Sequence, residues 1–153
     1  MKILACFICV LICLGVGMAA SWATLPEITH WYPTLHQPVF TPPAYVFGPA
    51  WTILYVLMGV NAGLVLTTPS PYRLKALIWF IIQLIFNGLW SFIFFTWHHL
   101  SLALLDLGLL WVALVLAAYY SYKVKACYIG LLAPYLAWVS FAFVINACVV
   151  YIN

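Results

Sequence analysis

The side chains with most chemistry to offer here are indoles and carboxamides set inside apolar runs: Trp51, Asn87, Trp90 and Trp138, with Gln83 and Asn146 beside them. An indole supplies a broad flat face and one N–H donor. A carboxamide both donates and accepts. In combination they suit recognition of a flat, largely apolar ligand rather than bond making. No constellation supports hydrolysis: Ser91 and Ser140 have no evident base. His98 and His99 sit at a turn, and zinc would need further ligands. No glycine-rich phosphate loop is present. No firm catalytic residue and no metal ligand are assigned, and no cofactor is required.

Spacing groups these residues into faces. Gln83, Asn87, Trp90 and Phe94 follow i, i+4, i+7 and i+11, one side of a helix. Trp51, Tyr55 and Met58 share a second helical face. Trp138, Ala142 and Ile145 share a third, with Asn146 next to it. Any one face also fits plain packing, in which Asn and Gln bond across helices. The three taken together favour a pocket.

Composition says what must hold those faces. The chain has 153 residues, 69% hydrophobic and only 5% charged. So few charges cannot cover the surface of a water-soluble domain. Five apolar runs, over residues 3–23, 46–66, 74–95, 102–122 and 127–150, each reach the length of about 20 residues that a bilayer core requires. The expected fold is an all-α, single-domain bundle of five transmembrane helices. The first run, with Lys2 ahead and Ala19-Ala20-Ser21 behind, also has features of a cleaved signal peptide. Its length favours a retained helix.

Residues 24–45 form the one long connection, rich in proline and aromatics. The stretch from Pro38 to Gly63, PVFTPPAYVFGPAWTILYVLMGVNAG, reads as a stiff loop feeding a helix, with Pro49 in that helix's first turn. The loop is expected to lie over a cavity as a lid, with Phe47 and Trp51 at the mouth. The competing role for its aromatics is anchoring at the membrane interface.

Charge orients the bundle. Lys2, Arg73, Lys75, Lys123 and Lys125 are all the Lys and Arg residues, and all fall on one side of a five-helix arrangement. Glu27, His30, His36, His98 and His99 fall on the other. The positive-inside rule then puts the N-terminus in the cytoplasm and the C-terminus outside. At about 1.5 Å per residue, Trp51, Asn87, Trp90, Asp106 and Asn146 lie in the outer half, with Trp138 near the midplane. Asp106 is the one acidic residue within a span, a functional candidate by its position. Its shallow depth also fits capping near the start of the fourth helix. Gly59 and Gly63 form a GxxxG pair, either a seam between two copies or close packing within one bundle. Cys6, Cys9, Cys13, Cys127 and Cys148 all lie in apolar runs and are taken as small packing residues. No basic patch suits nucleic acid.

The segments WYPTLHQPVFTPPAYVFGPAWTILYVLMG, QLIFNGLWSFIFF, ALLDLGLLW and PYLAWVSFAFVIN resemble, in order and spacing, the TspO or translocator protein family, also called tryptophan-rich sensory proteins. The resemblance spans nearly the whole chain. It implies a five-helix membrane protein, often a homodimer. It also implies a pocket under the first loop for porphyrins (protoporphyrin IX or a haem-like ring) or other flat apolar molecules. Carried over residue by residue, the ligand-binding positions are Tyr32, Trp51, Asn87, Trp90 and Trp138, with Phe94 and Ala142. The tryptophans would stack on the ligand and Asn87 would hydrogen-bond it. The implied role is porphyrin sensing, transport or regulation. The alternatives are light- and oxygen-dependent porphyrin breakdown, with Trp51 and Trp138 supplying electrons, or transport of small apolar ligands. The helical spans favour an inner membrane, with the outer membranes of bacteria and mitochondria the alternative for this family. Two departures stand out. Gln37 replaces a usual Lys, removing a partner for a porphyrin propionate, and Tyr45 replaces a common Trp. The C-terminal VVYIN leaves the sterol pattern of mitochondrial relatives incomplete, so sterol binding is not expected.

Overall fold

The computed structural model describes residues 1–153. Helix α1 spans Lys2–His30, and a short 3-10 turn follows at Tyr32–Thr34. Helix α2 spans Ala44–Thr67 and α3 spans Arg73–Ser91, continuing as a π-helical turn over Phe92–Thr96. Helix α4 covers Leu100–Val124, a 3-10 turn covers Ala126–Tyr128, and α5 runs over Ile129–Ile152. There is no strand, and all five helices are long and apolar enough to cross a membrane. The five apolar runs thus become five spans of one bundle.

Two boundaries correct the sequence reading. Helix α1 does not stop at residue 23 but runs through Pro26 to His30. A proline costs one i→i−4 bond and restricts its predecessor, yet Pro26 sits little more than a turn from the helix end. The Trp31 amide still closes on the Glu27 carbonyl at 3.0 Å. The helix therefore outlasts the apolar run that revealed it, and the connection shrinks to residues 31–43. Helix α2 begins at Ala44 behind Pro43, so Pro49 falls in its second turn and not its first. The proline suited to the helix start is Pro43, whose φ of −56° and ψ of 144° lead the chain in.

The bundle is held by close approach at one end. Helices α1 and α2 run antiparallel, and a methyl group added at Gly59 would strike the Cα of Val10, one at Gly63 the Cα of Cys6. The GxxxG pair is thus a seam within the chain. Between lipid-facing helices no hydrophobic drive remains, so such backbone proximity and interhelical hydrogen bonds carry the packing. Next to the seam lies a core of Cys13, Met58, Leu114, Leu132, Tyr135 and Val139, none more than 1% exposed. A polar cluster absent from the sequence reading closes this end. Asn61 Nδ2 donates to the Tyr128 carbonyl at 2.9 Å, and Ser121 Oγ donates to Asn61 Oδ1 at 3.2 Å. The Tyr128 hydroxyl pairs with Thr68 Oγ1 at 2.8 Å. The cluster ties α2 to α4 and to the start of α5, at the end where all five Lys and Arg residues collect.

Gly63→Ala is expected to lower stability by about 1–3 kcal/mol through overpacking, read as a reduced unfolding midpoint in detergent. Gly15→Ala, where an added methyl meets nothing within 4 Å, is expected to keep the midpoint or raise it slightly, as alanine favours a helix interior over glycine. Equal midpoints for the two variants would contradict the seam.

Candidate functional site

Toward the opposite end the helices part around a cavity of about 660 Å³. Tyr32, Trp51, Asn87, Trp90, Phe94, Trp138 and Ala142 all line it, so the structure brings together every ligand-binding position named from the sequence. No lining residue carries a charge.

The aromatic walls meet at wide angles. The Trp51 ring lies 6.5 Å from Trp138 at 85° and 5.6 Å from Tyr55. Trp138 turns an edge to Phe47 at 5.9 Å. Phe47 stands toward the start of α2, while Trp51 sits deeper against Tyr135 at 6.1 Å. Across the cavity Trp90 stacks on Phe94 at 5.0 Å and 25°. Trp90 Nε1 donates to Asn146 Oδ1 at 3.2 Å, which fixes the indole plane. The Trp138 Nε1–H, by contrast, is buried and has no acceptor. It is the one indole donor of the cavity walls that is buried and unmet, and a bound acceptor there would recover the cost of an unmade bond.

A relay of hydrogen bonds forms the floor. The Tyr55 hydroxyl donates to Asn87 Oδ1 at 2.6 Å, and Asn87 Nδ2 donates to the Tyr135 hydroxyl at 2.8 Å. Tyr135 in turn donates to Gln83 Oε1 at 2.9 Å. Asn87 was expected to hydrogen-bond a ligand. Its amide holds Tyr55 and Tyr135 at its two ends and keeps one N–H and one lone pair at the cavity. Room for the Tyr55 ring comes from Gly17 of α1, where any side chain would overlap it.

Sequence reasoning missed two walls. Helix α1 lines the cavity with Leu14, Gly17, Ser21, Leu25 and Ile28. Its near-uniform apolarity hid which face turns inward; the small residues Gly17, Ala20, Ser21 and Thr24, all on the lining, were the available signal. Phe95 also lines the cavity beside Phe94. It follows Asn87 and Ser91 at i+8 and i+4, a row the sequence reading did not extend, and it lies in the π turn closed by the Trp97 amide on the Phe92 carbonyl at 2.9 Å.

The loop meets the cavity through Tyr32, which packs on Phe94 and Phe95 at 6.2 and 5.7 Å. Burial pushes the Tyr32 phenol above its usual range, so it is neutral. Several tethers fix this roof. Gln37 Nε2 donates to the Tyr32 carbonyl at 3.0 Å. Asn153 receives the His36 amide and returns a bond to the His36 carbonyl, both at 2.9 Å. Trp31 stacks on His98 at 4.0 Å, and His98 Nε2 lies 3.2 Å from Glu27 Oε2. His98 holds a left-handed φ of 54° in the turn between the π segment and α4, a conformation uncommon for non-glycine residues. Asp106 does not cap α4, which starts at Leu100. It lies 4% exposed in the second turn with Oδ2 unpartnered, outside the cavity lining.

The TspO/MBR family model matches residues 9–152. The chain is similar to the tryptophan-rich protein TspO of Archaeoglobus fulgidus, 36% identical over all of this chain and 99% of that protein. It is similar to the human translocator protein, 36% identical over 80% of this chain and 75% of that protein. It is also similar to the tryptophan-rich sensory protein of Cereibacter sphaeroides, 31% identical over 85% of this chain and 81% of that protein.

Tyr135→Phe deletes the central hydroxyl of the floor and strands Asn87 Nδ2 and Gln83 Oε1. The expected loss is about 1–2 kcal/mol of stability, visible as a lower unfolding midpoint in detergent. A midpoint equal to wild type would show that the relay contributes nothing to holding the floor.

Proposed function

This chain belongs to the TspO/MBR family, and on that premise we propose that it binds a porphyrin or a similarly flat tetrapyrrole in the tryptophan-walled cavity. The observation that carries this reading is the set of Trp51, Trp90 and Trp138 around one uncharged cavity, with the Trp138 indole N–H the one that is both buried and without an acceptor. A macrocycle stacked on one of the two perpendicular rings, Trp51 or Trp138, meets the edge of the other. Both geometries are favourable for aromatic pairs. A ring nitrogen or carboxylate oxygen of the ligand would accept from Trp138 Nε1. With no charged lining residue, propionates would have to point to the mouth. Gln37, turned onto the Tyr32 carbonyl, offers them no cation there. The service rendered by binding is sensing, transport or regulation in the membrane. Passage straight through the bundle is disfavoured by the packed core and the Gly59–Val10 seam beneath the floor.

A second reading rests on a different observation. Trp51 is in aromatic contact with Trp138, Tyr55 and Tyr135 at 5.6–6.5 Å, a cluster that branches from its indole. An illuminated porphyrin would take one electron from these rings and pass it to oxygen as superoxide. The oxidised indole would recover an electron from the macrocycle, and the macrocycle cation would combine with superoxide to give an oxygenated ring. That reading is light-dependent breakdown of the ligand.

Titration of the purified protein with protoporphyrin IX is expected to quench tryptophan fluorescence saturably. Stacking is worth about 1–3 kcal/mol per aromatic face, so Trp51→Ala and Trp138→Ala should each weaken binding by about fivefold or more. A folded sample that shows no saturable quenching would sink the proposal. Under illumination in air, bleaching of bound porphyrin that slows in Trp138→Phe would favour the second reading, and stable ligand absorbance would exclude it.

A further inference from the structure

The end of the bundle away from the cavity holds a second arrangement with a chemistry of its own. Arg73, Lys75, Lys123 and Lys125 are all exposed there. The only carboxylates in the chain, Glu27 and Asp106, lie toward the other end, so none of these cations has an ion-pair partner within the protein. Nor are the lysines splayed into solvent. The Lys75 ammonium lies 5.8 Å from the centre of the Tyr120 ring, Lys123 lies 5.5 Å from Tyr119, and Lys125 lies 5.8 Å from Tyr128.

The rings form a fixed platform. Tyr128 is buried, held by Thr68 through its hydroxyl, and packs with Val65 and Ala76 in a cluster that Tyr120 also joins. Tyr72 stacks on Tyr120 at 6.4 Å. Cation–π contact draws each ammonium onto a ring: Lys75 of α3 reaches across to Tyr120 of α4, while Lys123 and Lys125 lie over tyrosines four and three residues away in the chain.

Holding these charges together has a cost. Arg73 and Lys75 occupy the first turn of α3, which contains no acidic residue. That is the positive end of the helix dipole, where cations are unfavourable and anions are favoured. A bundle that crosses a bilayer puts this rim at the level of the lipid headgroups. Clustered Lys and Arg beside transmembrane helices match an anionic headgroup in both charge and depth.

We propose that the basic rim of α3 and α4 is a binding site for the phosphate headgroup of an anionic phospholipid. Arg73, Lys75, Lys123 and Lys125 are its phosphate-binding cations, and Tyr119, Tyr120 and Tyr128 are the platform that positions the lysines. The bound phosphate answers the α3 dipole and the unpaired charges at once, and the acyl chains lie along the apolar surface below. The site stands apart from the cavity and does not depend on what the cavity binds.

The test uses full-length protein in neutral detergent, supplied with phosphatidylglycerol or with phosphatidylcholine. Retained lipid is counted by native mass spectrometry, and the unfolding midpoint is followed in parallel. Phosphatidylglycerol is expected to be retained preferentially and to raise the midpoint, with both effects weakening as salt is added. Lys75→Gln combined with Lys123→Gln should reduce that retention roughly tenfold or more. Lys2→Gln, a charge at the same end but off the tyrosine platform, should leave it unchanged. Equal retention of the two lipids by wild type would overturn the proposal. So would a loss in Lys2→Gln as large as in the double variant, because binding would then follow the diffuse charge of that end. Should the double variant fail to fold, Lys123→Gln alone, at an exposed position in the last turn of α4, carries the same test with an expected loss of roughly fivefold.

Discussion

Tyr55, Asn87, Tyr135 and Gln83 satisfy one another at the level where the bundle changes character. On one side of them the helices pack to contact distance. On the other they stand apart around the cavity. A polar group placed in hydrocarbon must find a partner within the protein, and these four do so by linking α2, α3 and α5. The relay closes the cavity from below and sets the heights from which Trp51 and Trp138 rise. It is also a constraint on composition, because each of its members is useful only while the others are present.

Above the relay, the surplus of aromatic residues becomes intelligible. A bundle in lipid gains little from burying one more apolar side chain, since the lipid is equally apolar. Large indoles turned inward around unfilled space are therefore a poor way to stabilise a fold and a good way to build a flat-walled receptor. The π turn at the end of α3 belongs to the same design. It carries two phenylalanines, Phe94 and Phe95, that line the cavity, and the tethered loop sets Tyr32 against both.

The two ends of the molecule divide the chemistry between them. One carries every Lys and Arg, with Lys75, Lys123 and Lys125 over tyrosine rings, and is sealed by Asn61, Ser121 and Tyr128. The other carries Glu27 and the histidines, with Trp31 and His98 stacked at the rim of the cavity. The Gly59 and Gly63 seam near the basic end lets α1 and α2 touch, and the helices enclose space farther along.

The sequence by itself determined the class, the number of spans, the side on which the charges collect and the inward faces of α2, α3 and α5. Those properties are local: run length against bilayer thickness, and residue spacing against the helical repeat, suffice to read them. The cavity residues carried over from the family resemblance were legible in the same way, as matched motifs in order. Helix ends were less legible, because α1 continues as helix through Pro26 after its apolar run has stopped. Only the tertiary structure decided that Gly59 and Gly63 face α1, that α1 walls the cavity, that Asn87 is engaged by two tyrosines and that Lys75 lies over Tyr120. Each depends on which helices are neighbours and at what rotation. The sequence does not encode that locally when nearly every face is apolar and lipid accepts any of them.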